Sequence, residues 1–235
     1  PTFLGAHDFP PEYANNRDGY VELICEEMLP AVAEKQLATF CDAFVDEGYY
    51  TTEQGRKIFI RAKELGLKIK AHADELANVA ATELAAEVGA ISADHLLFIS
   101  DRGIAALKTA GTVATLLPGT AYFTRLPYAP ARKLIESGAI VALATDCNPG
   151  SCFTENIQMI LSLAVINMKM TAEEALTAAT LNAAAALCLS SQVGSLEVGK
   201  QADLLIASVS SYTDLFYHFG INHIQSVFVK GKKVV

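Results

Sequence analysis

Residues 67–96 read LKIKAHADELANVAATELAAEVGAISADHL. The stretch begins with a short apolar run, LKIKA (67–71), and ends with another, AISAD (90–94). Between them NVAATELAAEVG has helical period, opens on Asn78 and stops at Gly89, which predicts a helix with a polar start and a glycine stop. Strand, helix, strand in about thirty residues is a βα unit, and such units build parallel sheets.

The same rhythm extends on both sides. Apolar runs recur as TFLGA (2–6), FCDAFV (40–45), TVATLL (112–117) and AIVALAT (139–145). The helical stretch TTEQGRKIFIRAKELG is capped by Thr51 or Thr52 and ends at Gly66, and SDRGIAALKTAG is capped by Ser100 or Asp101 and ends at Gly111. Six strands of this kind fit either an open doubly wound sheet or part of a (β/α)8 barrel. The polar residues favour the barrel: His7, Asp46, Glu47, His72 to Glu75, His95 and Asp146 all fall at or just after strand ends. A barrel gathers those ends around one mouth, whereas an open sheet spreads them along a line. The expected fold class is therefore α/β, an incomplete (β/α)8 TIM-like barrel with about six strands present.

After residue 153 the pattern changes. TENIQMILSLAVINM and TAEEALTAATLNAAAALCL read as consecutive helices, the second with a capping box of Thr171 and Glu174. Segments 194–208 and 224–235 then read as short strands, with a hairpin at Lys230-Gly231. Too few to stand alone, these strands are expected to belong to a small β-sandwich domain completed from elsewhere. The expected division is 1–190 for the partial barrel and 191–235 for the C-terminal part of the sandwich.

Composition narrows the class. A chain of 235 residues with 51% hydrophobic and 19% charged residues can bury a substantial core. No apolar run is long enough for a bilayer-spanning helix, so no membrane partner is expected. The net charge of −8 leaves no basic stripe to neutralise phosphates, which argues against nucleic acid. The five cysteines are an odd number without zinc-finger spacing, which points to a reduced cytoplasmic protein. The opening PTFLGAH starts directly on a strand without Met or a leader, and reads as part of a longer protein.

Four places could carry chemistry. His72 ends a strand, Glu75 follows three residues later, and His95 ends the next strand. Neutral imidazole at a barrel mouth suits zinc or iron, with Glu75 beside the ion to hold a proton or a substrate N–H. The plainer reading is that Asp74 and Glu75 cap the helix near Asn78, and Asp74 fits that role. Asp146 follows a strongly apolar strand in ATDCNPGS, where the Asn148-Pro149-Gly150 turn could present Asn148, Gly150 and Ser151 to an anion or amide. Cys147 and Cys152 flank that turn and read as packing residues, with no base beside them to lower a thiol pKa. Tyr13 lies in the proline-bearing, aperiodic loop from His7 to Asn16, a plausible substrate contact. His218 and His223, five residues apart, are expected on different helical faces at the surface or an interface.

The segments KIKAHADE, SADHL, ATDCNPGS, TLNAAAAL and GSLEVGKQADLLI resemble the amidohydrolase superfamily of metal-dependent (β/α)8 barrels. More closely, FLGAHDFPPEY, CDAFVDEGYYT, HADEL and DCNPGS are similar to the imidazolonepropionase family of histidine breakdown. The resemblance implies one metal ion, zinc or iron, with His72 and Asp146 among its ligands. It implies catalytic roles for Glu75, His95 and Asp146. It also implies substrate contacts at His7, Glu75 and Ser151, with Asn148 and Gly150 at the product's amino-acid end. The activity implied is hydrolysis of the cyclic amide of 4-imidazolone-5-propanoate to N-formimino-L-glutamate, in a cytoplasmic homodimer. The family's H-x-H ligand pair does not occur in these residues. Two alternatives remain at this stage: a cytosine- or guanine-type deaminase, and a metal-free binding or assembly module.

Overall fold

The computed structural model describes residues 1–235. Its elements alternate much as the rhythm of the sequence predicts. β1 (Thr2–Ala6) leads through a single 3-10 turn to α1 (Arg17–Leu23), which passes through a π turn into α2 (Leu29–Glu34). Then come β2 (Phe40–Val45), α3 (Thr52–Glu64), β3 (Lys68–Ala73), α4 (Ala81–Glu87), β4 (Ser92–His95) and α5 (Asp101–Ala110). They are followed by β5 (Val113–Leu116), α6 (Pro118–Thr124), α7 (Ala131–Ser137) and β6 (Val141–Leu143). The remainder holds α8 (Ile157–Ile166), α9 (Ala172–Thr177), α10 (Ala183–Ala186), β7 (Leu204–Ala207), α11 (Asp214–Tyr217), β8 (Ile224–Val229) and β9 (Lys232–Lys233).

The chain packs as two compact units, one of residues 1–114 with 136–140, the other of residues 115–135 with 141–235. One boundary between them falls within β5.

In the first unit β1 to β4 pair in parallel in chain order. The start of β5 follows them, its Val113 N–H donating to the Ile91 carbonyl. β2 is buried along nearly its whole length, as expected of a parallel strand covered on both faces. α3 covers it with Ile58, Phe59 and Ala62, all fully buried. Ile58 and Phe59 each contribute about 1.5–3 kcal/mol through the apolar area they remove from water. The helix starts at Thr51, one of the two expected caps, in a complete capping box with Gln54. α4 begins three residues later than its sequence predicts. Asn78 does not cap it; its amide donates to the Phe98 carbonyl. Asp74 takes the capping role, accepting from the backbone N–H groups of Val79, Ala81 and Thr82 and from the Thr82 hydroxyl.

In the second unit Ala144 N–H donates to the Leu116 carbonyl, so β6 follows β5. α9 carries the expected Thr171–Glu174 capping box and continues through a π turn into α10. β7, β8 and β9 form a separate antiparallel sheet, β8 and β9 joined by the Lys230-Gly231 hairpin. No helix is long and apolar enough to cross a membrane.

Candidate active site

Four strand ends of the first unit converge on one group of side chains. β1 contributes His7. A register shift between Phe3 and Ala6 interrupts the β1–β2 ladder, and His7 follows directly. Irregularities of this kind re-aim a strand's exit. β2 contributes Asp42, and Asp46 follows directly past its end. β3 contributes His72 and, past its end, Glu75; β4 ends on His95.

Asp42 stands at the centre. Its Oδ1 lies 2.9 Å from His72 Nδ1 and 3.2 Å from His7 Nε2, and the residue is 2% exposed. Burial alone pushes its carboxyl pKa up. The His72 and His7 imidazoles facing it outweigh burial and hold it well below the usual carboxylate range. The His7 and His72 rings meet edge to face at 4.5 Å, and His72 and His95 lie 5.0 Å apart. Sequence reading missed Asp42. The one available signal was a charge in the middle of the otherwise apolar FCDAFV.

His95 is fully enclosed and has a positive φ of 77°. Burial, reinforced by the neighbouring His72, keeps its pKa well below the ordinary imidazole value, so the ring is neutral at pH 7. Its Nδ1 lies 3.5 Å from Glu75 Oε1 and forms no hydrogen bond. Glu75 is itself buried. The loop that carries it is fixed by Asp46, whose carboxylate accepts from the backbone N–H groups of Glu75, Leu76 and Ala77 at 2.6, 3.0 and 3.1 Å.

These residues fit a metal ion. His7, Asp42 and His72 each offer a ligand atom, and the three atoms lie within 4.8 Å of one another. The Asp42 oxygen is already taken up by both rings, so the donors left for zinc or iron are the imidazole nitrogens that face away from it. With Nδ1 engaged by Asp42, His72 offers Nε2 as its ligand nitrogen.

In the second unit Asp146 follows β6 with φ 53°, and its carboxylate accepts a hydrogen bond from the Thr120 hydroxyl. The expected turn forms just beyond. Asn148 closes it, its Oδ1 accepting from Gly150 and Ser151 N–H at 2.9 and 2.8 Å, and its amide donating to the Asp146 carbonyl. Cys152 is buried behind the turn, and burial raises its thiol pKa, as befits a packing residue.

One expectation is corrected. His223 is buried, not superficial, and its ring lies 5.3 Å from that of His218. The helical spacing that was to separate them does not apply, because α11 ends at Tyr217 and His223 Nε2 bonds the His218 carbonyl. Tyr13 sits on a 3-10 turn within the expected loop and packs its ring against Tyr20 at 5.2 Å.

The geometry of strands ending in histidine and carboxylate defines a class, and comparison with known proteins agrees. The amidohydrolase family model matches residues 22–234, and the chain belongs to that family. Its parallel strands are those of an incomplete (β/α)8 barrel. The imidazolonepropionase of Thermoanaerobacter pseudethanolicus is 52% identical over all of this chain and 57% of its own length. That of Caldanaerobacter subterraneus subsp. tengcongensis is 53% identical over the same shares, and that of Desulfotalea psychrophila 51% identical over 99% and 56%. The chain thus spans little more than half the length of these relatives. Among solved structures, a zinc-bound adenosine deaminase from Xanthomonas campestris superposes with a TM-score of 0.76 at 22% identity, over 97% of this chain and 59% of its own. A guanine deaminase from C. acetobutylicum gives 0.74 at 17% identity, over 100% and 64%. At such identities the likeness concerns the fold.

Proposed function

We propose that this chain belongs to a metal-dependent cyclic amidohydrolase that opens 4-imidazolone-5-propanoate to N-formimino-L-glutamate in histidine degradation. The observation that carries the reading is the convergence of His7, His72, Glu75 and His95 from the ends of β1, β3 and β4, with Asp42 of β2 between them, in a chain about half identical to imidazolonepropionases. His72 is assigned as a ligand of one zinc or iron ion. Asp146 is assigned as another on its ATDCNPGS motif. When bound, the ion supplies a water whose pKa is lowered toward neutrality.

The side chains do the rest. Neutral His95 donates a hydrogen bond to the oxygen on which charge develops as the ring carbonyl is attacked. Glu75 accepts a proton from a ring nitrogen or returns one to it, and Asp146 holds the proton released from water. His7 and Ser151 bind the substrate, while Asn148 and Gly150 receive the amino-acid end of the product. For the turn to do so, it must exchange the bonds that Asn148 makes within it.

The domain assignment that accompanies this reading is 1–190 for the barrel and 191–235 for the sandwich. The protein is further assigned as a cytoplasmic homodimer. The test is to supply the full natural protein with the imidazolone and follow product and ammonia. Ring opening without ammonia supports the reading. Ammonia release from cytosine or guanine makes it a deaminase, and a metal-free, inactive natural protein makes it a binding module.

A further inference from the structure

Asp42 is a buried carboxylate with no place in the mechanism above, yet it contacts two of that mechanism's histidines through one oxygen. An ionised carboxylate only accepts hydrogen bonds. Both contacting nitrogens, His72 Nδ1 and His7 Nε2, must therefore carry the hydrogen. In the neutral rings the opposite nitrogens, His72 Nε2 and His7 Nδ1, then carry the lone pairs. One carboxylate thus fixes the tautomer and the orientation of both rings. It is well placed for this, because Asp42 lies mid-strand in β2, in register with Lys70 of β3. The Phe44 ring packs near both imidazoles, 6.3 Å from His7 and 5.9 Å from His72.

We propose that Asp42 is a positioning residue that sets His72 to bind the metal through Nε2 and His7 to accept a substrate N–H through Nδ1. The inference rests on the reading of His72 as a metal ligand and of His7 as a substrate contact. The 2.9 and 3.2 Å separations are hydrogen-bond lengths, so the oxygen is occupied by the two rings. Carboxylates that orient ligating histidines in this way typically contribute 10–100-fold to metal affinity.

The test compares the full natural protein with its D42N, D42E and H72A variants. Zinc affinity is titrated against a chelating dye, zinc stoichiometry is counted, and KM and kcat are measured separately. The expected result is one zinc per chain and a folded D42N that binds zinc about 10–100-fold more weakly. KM should also rise through His7, with partial recovery in D42E. Unchanged zinc affinity and KM in D42N overturn the proposal. So does a parent with two zincs per chain, one of them lost in D42N, since Asp42 would then be a ligand. Should D42N fail to fold, the ¹⁵N spectrum of the parent decides. Protons on His72 Nδ1 and His7 Nε2 are required, and the opposite tautomer of either ring overturns the assignment. A parent that opens no imidazolone ring while D42N still loses zinc defeats the proposed substrate alone and leaves the role of Asp42 standing.

Discussion

Glu75 is the residue whose task is most sharply defined by its surroundings. Its backbone is fixed by Asp46, its carboxylate faces the buried, neutral His95, and it is not one of the residues whose ligand atoms cluster in the first unit. Replacing Glu75 by Gln keeps the shape and removes the proton acceptor. The expected outcome is a fall in kcat of about 10²–10⁴-fold with bound metal unchanged, measured by steady-state kinetics beside elemental analysis. A parallel fall in metal content would make Glu75 structural. At this scale the sequence was legible where a polar residue ended an apolar run, as at His7, His72, His95 and Asp146. It was silent on Asp42, because one acid inside FCDAFV has no periodic signature and is given meaning only by histidines 30 and 35 residues away. It misled on His223, because helical spacing was applied to a segment that is not helical there.

Elements were easier to read than contacts, since caps and glycines act within a few residues. The Thr51 and Thr171 capping boxes and the Ser100 cap stand where local chemistry places them. α4 is the instructive exception. Its cap is Asp74, seven residues upstream of Ala81, a role its sequence position allowed, while Asn78, the polar residue next to the apolar period, bonds the Phe98 carbonyl instead. Two tests belong to elements. Gly194 has φ 94°, and a Cβ there would stand 2.8 Å from Ala184 Cβ and 2.9 Å from the Thr180 carbonyl oxygen, on the π turn and α10. Gly194→Ala should therefore destabilise the second unit by about 2–4 kcal/mol, read from denaturant midpoints, since left-handed strain and overpacking combine. Arg132 of α7 forms a bidentate pair with Glu174 at the start of α9, at 2.7 and 2.8 Å. That pair, more than any other influence, lowers the Glu174 pKa from its ordinary 4.5. A depressed carboxylate pKa stabilises the fold fully above the unfolded value, and the benefit is lost as pH falls through the folded one. Glu174→Gln should thus cost about 1 kcal/mol at pH 7, with the gap in Tm from the parent closing below about pH 4.5. A gap that persists at pH 3 would show that the charge is not what matters.

For the whole molecule, stability and activity should share one dependence on metal. The first unit holds the His72 and His7 rings on one carboxylate oxygen of Asp42, which leaves His72 Nε2 to an ion. An ion bound only by the folded protein stabilises it by mass action, by about 2.7 kcal/mol when free metal is a hundred times its Kd. Stripping the full natural protein with a chelator should abolish ring opening and lower Tm by several degrees, about 2–4 °C per kcal/mol for a domain of this size. Zinc or iron added back should restore both together, along one titration curve. The alternative predicts separate behaviour. In a metal-free binding module Tm would be indifferent to the chelator, because nothing in the fold would depend on an ion. In D42N the restoring titration should shift to higher metal concentration without changing its final Tm by more than the substitution costs the metal-free protein. That shift links the residue, the strand that holds it and the stability of the molecule in one measurement.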